Sequence, residues 1–155
     1  MLIIGSDHTG IELKKSIVEY LKSKNIELID VTNFECQDND DYPDIAGIIA
    51  NKVLEDKDNL GIAICGTGIG ISISCNKVNG IRAALCTDDY MSEMSRKHNN
   101  ANILCLGARL ECSKDFNNIE NIVNKFLNTS FEGGRHENRI KKINGLENNS
   151  KKVVC

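Results

Sequence analysis

A cysteine followed by alternating glycines is the strongest chemical signal in this sequence. The apolar run Ile62–Ile64 predicts a strand buried on both faces, and Cys65 ends it. The glycines that follow are Gly66, Gly68 and Gly70. They allow a tight turn whose amides point one way, and a short helix is predicted after it. Amides and a helix N-terminus favour negative charge, so Cys65 suits a thiolate nucleophile or base that faces an anion. The alternative is a buried structural cysteine before a plain glycine turn.

The bulk composition predicts one globular domain. The chain has 155 residues, of which 41% are hydrophobic and 26% charged, and we assign the domain to residues 1–144 with a flexible tail at 145–155. The net charge of −3 argues against binding to nucleic acid or to an acidic membrane, both of which favour a basic protein surface. A small anionic substrate remains possible where a few basic groups converge.

The cysteines predict a reducing environment. There are seven, an odd number, and no pair has C-x-x-C spacing, so neither a zinc site nor a disulfide framework is expected. The apolar run at the N-terminus is too short for a signal peptide. We therefore predict a cytoplasmic location.

Predicted strands and helices alternate along the chain. The strands are placed at Leu2–Gly5, Ile26–Val31, the run before Cys65, Ile81–Leu85 and Ala101–Gly107. Such alternation predicts an α/β fold with a five-stranded, mostly parallel sheet and helices on both faces.

Several helix ends have recognisable signals. Thr9 and Glu12 fit a capping box, and Lys14 is expected on the solvent face of the helix that follows. Pro43 suits the first turn of the next helix, and Ser113 is expected to cap the last long one. A terminal helix is predicted over Arg135 to Ile143.

In open α/β sheets the functional site lies beyond the carboxyl ends of the strands. Asp7 and His8 follow the first predicted strand, Thr67 follows the third, and Arg109 follows the fifth. We also expect His98 and Asn99, from the end of the fourth helix, at this edge. The alternative for each residue is a solvated surface position.

Arg135 and Arg139 lie four residues apart and share one face of the predicted terminal helix. Guanidinium groups bind phosphate oxygens in a bidentate manner, so this pair suits a phosphate group. The alternative is a solvated basic face.

Two other ligands are disfavoured. The glycine turn resembles the start of G-x-G-x-x-G, but Ile71 occupies the third glycine position, which argues against a nicotinamide cofactor. The acidic loop from Thr32 to Asp41 lacks the EF-hand spacing for calcium and is interpreted as a solvated loop.

Six motifs in order resemble the B-type ribose-5-phosphate isomerase family, which includes galactose-6-phosphate isomerase subunits. They are Gly5–Lys14, Tyr42–Asp44, Cys65–Gly70, His98–Asn102, Gly107–Arg109 and Gly133–Ile140. The resemblance spans almost the whole chain. It implies a Rossmann-like three-layer sandwich and a homodimer, or a dimer of dimers, with sites at the interface.

The resemblance also implies the chemistry. It implies interconversion of D-ribose 5-phosphate and D-ribulose 5-phosphate in the pentose phosphate pathway, with no metal and no cofactor. The catalytic positions are Cys65 as the base, with Asp7, Thr67 and His98 linked to sugar hydroxyls and ring opening. The substrate-binding positions are Asp7, His8, Tyr42, Gly66, Gly68, Ile69, Gly70, Asn99, Arg109, Arg135 and Arg139. His98 and Arg109 are candidates to serve the pocket of the other subunit.

The sequence is also compatible with two alternative functions. One is an isomerase of a six-carbon sugar phosphate, such as galactose 6-phosphate or allose 6-phosphate. The other is a sugar-phosphate sensor without catalysis, which would not need Cys65 beside the glycine turn.

Overall fold

The structure is a computed structural model that describes residues 1–32 and 41–149. Its strands are β1 (Leu2–Ser6), β2 (Leu28–Asp30), β3 (Leu60–Cys65), β4 (Ala83–Leu85) and β5 (Ile103–Gly107). They form one sheet in the order β2-β1-β3-β5-β4, and every pair is parallel. The predicted five-stranded sheet is therefore confirmed. Its central strands are apolar on both faces because helices cover both faces.

The helices complete a three-layer sandwich. They are α1 (Ile11–Ser23), α2 (Tyr42–Val53), α3 (Ile69–Cys75), α4 (Asp89–Asn99), α5 (Phe116–Asn128) and α6 (Arg135–Asn149). One core joins α1 and α5 to one face of the sheet, and a second core joins α2 and α3 to the other. Within the described residues, no helix is both long and apolar enough to cross a bilayer.

Two predicted helix caps are wrong. Asp7, not Thr9, caps the first helical segment, a 3-10 turn over His8–Gly10, and its carboxylate accepts bonds from the Thr9 amide at 2.9 Å and hydroxyl at 2.6 Å. The cap of α5 is Asp115, which accepts from the Asn117 amide at 3.0 Å, and not Ser113. In both cases the carboxylate lies two residues before the amide that it accepts from, where a short acidic side chain reaches the backbone well.

Lys14 was predicted to face solvent and is instead fully buried. Its ammonium group donates to Asp30 Oδ1 at 3.0 Å and to the carbonyl and hydroxyl oxygens of Thr32 at 2.6 and 2.9 Å. These partners lie at the end of β2, the element that follows α1, 16 and 18 residues after Lys14. Burial is tolerated because the charge is paired and hydrogen-bonded.

The terminal helix runs further than predicted. It continues to Asn149 rather than ending at Ile143, and Gly145 lies within it. The Glu147 carboxylate accepts a hydrogen bond from the Gly80 amide at 2.9 Å, so this extension contacts the rest of the fold. Most of the predicted acidic loop, 33–40, and the end of the predicted tail, 150–155, lie outside the described residues.

Candidate functional site

The carboxyl ends of β1, β3 and β5 bring the first group of candidate residues together. Cys65 is the last residue of β3 and is paired with Gly107 at the end of β5. The Asp7 amide donates to the Ile64 carbonyl at 3.1 Å, which places Asp7 just beyond β1 next to Cys65. The Arg109 amide donates to the Gly66 carbonyl at 2.9 Å. The carboxyl edge of the sheet, where the site was predicted, is thus occupied by Asp7, Cys65 and Arg109.

The thiol of Cys65 receives a backbone hydrogen bond. The Gly68 amide donates to Cys65 Sγ at 3.1 Å, and the cysteine is only 4% exposed. Gly68 has φ +73°, the left-handed conformation that glycine adopts without steric cost, and this conformation helps to turn its amide back toward the sulfur. An amide donor aimed at sulfur stabilises negative charge there.

Other buried thiols have a different environment. Burial raises the pKa of the Cys86 thiol to about 11. The pKa of Cys105 is also raised, first by its hydrogen bond with Cys75 and then by burial. Both thiols therefore stay protonated at neutral pH and act as small apolar groups. Cys65 differs from Cys86, whose thiol donates to the Ala84 carbonyl at 3.7 Å, because its sulfur accepts a hydrogen bond from the Gly68 amide.

Side chains from three segments surround the glycine turn. A Cβ added at Gly70 would lie 2.7 Å from ring atoms of Tyr42, so the tyrosine ring covers that glycine. A Cβ added at Gly66 would lie 3.6 Å from two Arg109 side-chain atoms, so the arginine passes over the first glycine. Thr67, Ile69 and His8 are exposed at the same edge. The Ile69 amide donates to the Thr67 hydroxyl at 3.3 Å.

His98 and Asn99 do not lie at this edge, contrary to the prediction. They end α4, which leaves the carboxyl end of β4 and returns to the amino end of β5. A helix that joins parallel strands must run back across the sheet, so its C-terminus lies at the opposite edge. Asn99 is exposed there, and its carbonyl accepts from Arg82 Nε at 3.1 Å.

A second group of candidate residues forms around His98 at the amino edge. The ring of His136 stacks on that of His98, with centroids 4.3 Å apart and planes 3° from parallel. Arg139 Nη1 lies 3.4 Å from His136 Nδ1, and Arg135 Nε donates to His136 Nε2 at 3.5 Å. The two predicted phosphate-binding arginines therefore lie beside His98, and both are exposed.

A carboxylate completes this second group. Glu132 Oε2 lies 3.7 Å from His98 Nε2 and 3.8 Å from His136 Nε2. Among the described residues, these three form a set whose potential ligand atoms lie within 4.8 Å of one another. Two imidazoles and a carboxylate are ligands that zinc accepts. Arg135 and Arg139 place positive charge against the same imidazole, however, so the surroundings favour an anion over a cation.

Sequence reasoning assigned no site role to His136 or Glu132. His136 was visible only as the residue next to Arg135 in the predicted helix, and Glu132 lies in the loop before it. The Glu132 amide donates to the Lys97 carbonyl at 3.1 Å, which docks this loop onto the end of α4. That tertiary contact brings both residues to His98.

Comparison with known proteins agrees with this arrangement of motifs. The model of the ribose/galactose isomerase family matches residues 2–143. The chain belongs to that family. A probable ribose-5-phosphate isomerase B of Mycoplasma genitalium is 48% identical over 143 residues, which cover 92% of this chain and 92% of the relative.

Solved structures of B-type ribose-5-phosphate isomerases share the fold of this family member. The enzyme of Clostridium thermocellum superimposes with a TM-score of 0.89 at 46% identity, over 97% of this chain and 99% of that one. The Mycoplasma genitalium enzyme, solved with bound ribulose 5-phosphate, gives 0.86 at 42% identity over 98% and 97% of the two chains. The Rossmann-like three-layer fold predicted from the motifs is confirmed.

Proposed function

We propose that this chain interconverts D-ribose 5-phosphate and D-ribulose 5-phosphate through an enediolate, with Cys65 as the base. The observation that carries the proposal is the buried Cys65 thiol with the Gly68 amide directed at its sulfur. The Mycoplasma genitalium neighbour, which binds ribulose 5-phosphate, supports the choice of a five-carbon substrate. A place in the pentose phosphate pathway and a cytoplasmic location are part of the proposal. The five free thiols among the described residues are consistent with a reducing compartment.

The proposed reaction moves one proton between C2 and C1 of the open-chain sugar. The Cys65 thiolate removes the C2 proton of the aldose, and the electrons move to O1 as the enediolate forms. The same sulfur returns the proton to C1, the hydroxyl proton of O2 passes to O1, and O2 becomes the ketone oxygen. Amides of the turn at Gly66–Gly70 can stabilise the enediolate oxygen, as preorganised donors do in an oxyanion hole. Asp7 and Thr67, at the same edge, are proposed to bind sugar hydroxyls.

The basic residues are proposed to bind the phosphate and orient the substrate. His8 and Arg109 lie at the Cys65 edge, whereas Arg135 and Arg139 lie with His98 at the other edge. Because Arg109 covers Gly66 of its own chain, we assign it to the pocket of that chain. Phosphate binding far from the reacting carbons contributes to catalysis by holding C1 and C2 over the sulfur.

We propose that a second copy of the chain brings the two separated groups together. β5 has five residues, so the carboxyl and amino edges of the sheet are separated by roughly 15 Å. His98 cannot reach Cys65 of its own chain across that distance. We propose a homodimer, or a dimer of dimers, in which the Cys65 group of one copy faces the His98 group of the other. This arrangement also explains why the site residues are divided between the two edges.

An exposed apolar surface next to the Cys65 site supports this assembly. Tyr42 of α2 and Ile69 and Ile73 of α3 are 40%, 54% and 55% exposed, and α2 packs beside α3. A contiguous apolar surface of this kind commonly marks a protein interface. We expect Ile73→Glu to yield a monomer with little activity in light-scattering and turnover measurements. Ile29→Glu, on the distant edge strand β2, is the control that should remain oligomeric.

Complementation between subunits tests the shared site directly. Cys65→Ala and His98→Ala should each be inactive alone. After the two are mixed, unfolded and refolded together, about a quarter of the sites should combine intact residues, so about a quarter of the activity should return. The assay uses ribose 5-phosphate with EDTA present, because the proposal includes no metal. No recovery in a mixture that refolds and assembles would contradict the shared site.

A six-carbon sugar phosphate is the second candidate substrate. The family model that matches this chain is described for ribose and galactose isomerases together. Turnover should therefore be compared on ribose 5-phosphate, galactose 6-phosphate and allose 6-phosphate. Higher kcat/KM on either six-carbon substrate would overturn the ribose assignment while leaving the isomerase chemistry intact. Binding of all three without turnover would favour the sugar-phosphate sensor.

A further inference from the structure

The imidazole of His98 is constrained from two directions by residues outside the proposed machinery. His136 covers one face of its ring with the planes 3° from parallel and the centroids 4.3 Å apart. Glu132 Oε2 lies 3.7 Å from His98 Nε2, at the ring edge. His136 itself is 3% exposed, so it is a packed platform rather than a mobile surface side chain. The stacked ring sets the plane of the His98 imidazole, and the Glu132 carboxylate lies on the side of its Nε2 atom, beyond direct hydrogen-bond distance.

The charges around His136 favour its neutral form. Arg135 and Arg139 both contact His136. The pKa of His136 is lowered, first by burial and then by the positive charge of His98 and the two arginines, while Glu132 opposes the shift. His136 is therefore neutral at neutral pH, so the stacked ring places no second positive charge against His98. Glu132 is the anion beside both Nε2 atoms.

We propose that His136 and Glu132 are positioning residues that hold the His98 imidazole in the orientation needed to open the furanose ring. This inference rests on the proposed function and assigns His98 the acid role in ring opening, in which it gives a proton to the ring oxygen of ribose 5-phosphate. The O1 proton leaves to a base, the C1–O4 bond breaks, and the aldehyde forms. No oxidant or further reactant is needed. Neither positioning residue touches the substrate in this scheme.

The two directions of the reaction separate ring opening from enolisation. Ribose 5-phosphate closes to a furanose, so its conversion needs both steps. Ribulose 5-phosphate carries its phosphate on the C5 oxygen, which blocks furanose formation from the C2 ketone, so it enters the site as an open chain. Exchange of its C1 hydrogen with solvent deuterium therefore needs the Cys65 base and no ring opening. Loss of the correct His98 orientation should slow the conversion of ribose 5-phosphate and leave deuterium exchange at C1 of ribulose 5-phosphate nearly unchanged.

The experiment compares these two rates in three variants and a control. Glu132→Gln removes the charge at nearly constant size. His136→Leu removes the stacked ring, and His136→Phe restores an aromatic face. Glu137→Gln is the matched control, because Glu137 is an exposed carboxylate in the first turn of α6. Turnover of ribose 5-phosphate is measured by a coupled assay, and deuterium uptake into ribulose 5-phosphate is followed by proton NMR.

We expect Glu132→Gln and His136→Leu to lower kcat on ribose 5-phosphate by about tenfold or more, within the range for a proton-transfer group. Deuterium uptake should stay within about twofold of wild type, because it does not use His98. His136→Phe should recover part of the lost kcat. KM is measured separately from kcat, because His136 also contacts Arg135 and Arg139, the proposed phosphate-binding residues.

Equal losses in both rates would show a general disruption of the site and overturn the inference. Unchanged kcat in both Glu132→Gln and His136→Leu would also overturn it. If wild type is inert on both substrates, the proposed function fails, and the inference fails with it. That outcome is distinguishable from failure of the inference alone, because it is measured on the wild-type protein. Glu132→Gln keeps the test decisive if the buried His136 variants do not fold.

Discussion

The Gly68 amide donates a hydrogen bond to the Sγ of Cys65 over 3.1 Å, at the point where β3 ends and the glycine turn begins. This contact joins the two parts of one sequence motif, the cysteine that ends the apolar strand and the alternating glycines that follow it. The buried Cys65 sulfur thus has a backbone amide as a hydrogen-bond donor. The chemistry that we propose for the chain depends on that relationship.

Replacement of Cys65 by alanine should abolish catalysis and spare folding. The proposed base is lost, and a general base typically contributes about 10²–10⁴-fold to the rate, so kcat should fall by about 10³-fold. Stability should change little, because the side chain is small. The measurement is turnover together with circular dichroism and thermal unfolding.

Cys112→Ser is the matched control for the cysteine variant. Cys112 is a half-buried free thiol distant in sequence from the glycine turn, and its replacement should leave kcat within about twofold of wild type. Wild-type turnover in Cys65→Ala would contradict the assignment of Cys65 as the base.

Gly68→Ala should damage both stability and activity. Gly68 has φ +73°, and an added Cβ would lie 2.4 Å from Leu85 Cδ1 and 2.9 Å from the backbone carbonyl carbon of Leu106. Strain and overlap together should lower the free energy of unfolding by about 1–3 kcal/mol. The amide that donates to the Cys65 sulfur should shift, so kcat should fall as well. Urea unfolding and turnover measure the two effects.

Gly47→Ala is the comparison for this substitution. Gly47 lies within α2, and an added Cβ would meet no heavy atom within 4 Å. Alanine within a helix is favoured over glycine by roughly 0.5–1 kcal/mol, so this variant should be as stable as wild type or more so. Equal effects of the two substitutions would show that the conformation of Gly68 has no special role.

The sequence predicted the sheet edge correctly for some polar residues and wrongly for others. The alternation of strands and helices was enough to predict the sheet and to place Asp7, Cys65 and Arg109 beyond its carboxyl ends. His98 was assigned to the same edge, although a helix that joins β4 to β5 in a parallel sheet must end at the opposite one. The error came from proximity in sequence to β5, and the direction of the connection corrects it.

Lys14 and His136 show why some features were inaccessible from the sequence. Lys14 was assigned to the polar face of α1, but it shares the buried face with Ile17 and Leu21, and its partners come from the end of β2. The stacking of His136 on His98 joins residues 38 positions apart through the docking of the loop before α6. Both depend on tertiary contacts between distant segments, which local pattern does not encode.

Arg139→Ala should raise KM for ribose 5-phosphate strongly. Arg139 is exposed on α6 beside His136 and lies one helical turn from Arg135, so the two guanidinium groups can bind one phosphate. Loss of a charged hydrogen-bonding partner should raise KM by about tenfold or more. Initial rates across substrate concentration give KM and kcat separately.

Lys141→Ala is the control for phosphate binding. Lys141 is an exposed cation two residues further along the same helix, so its removal changes the net charge equally and should leave KM within about twofold of wild type. An Arg139→Ala enzyme with unchanged KM, or an equal rise in both variants, would contradict a specific phosphate role for Arg139.

The stability of the fold should fall in mild acid because of His136. Its pKa is lowered in the folded chain, by burial first and then by the charges of His98, Arg135 and Arg139, with Glu132 opposing. In the unfolded chain the imidazole titrates near its ordinary value of about 6.5. Below that pH the unfolded state binds a proton that the native ring does not, so the free energy of unfolding falls as the pH is lowered through about 6.5. His136→Phe should have a smaller decrease in urea midpoint between pH 7.5 and 5.5 than wild type, and an identical decrease in both proteins would contradict the assignment.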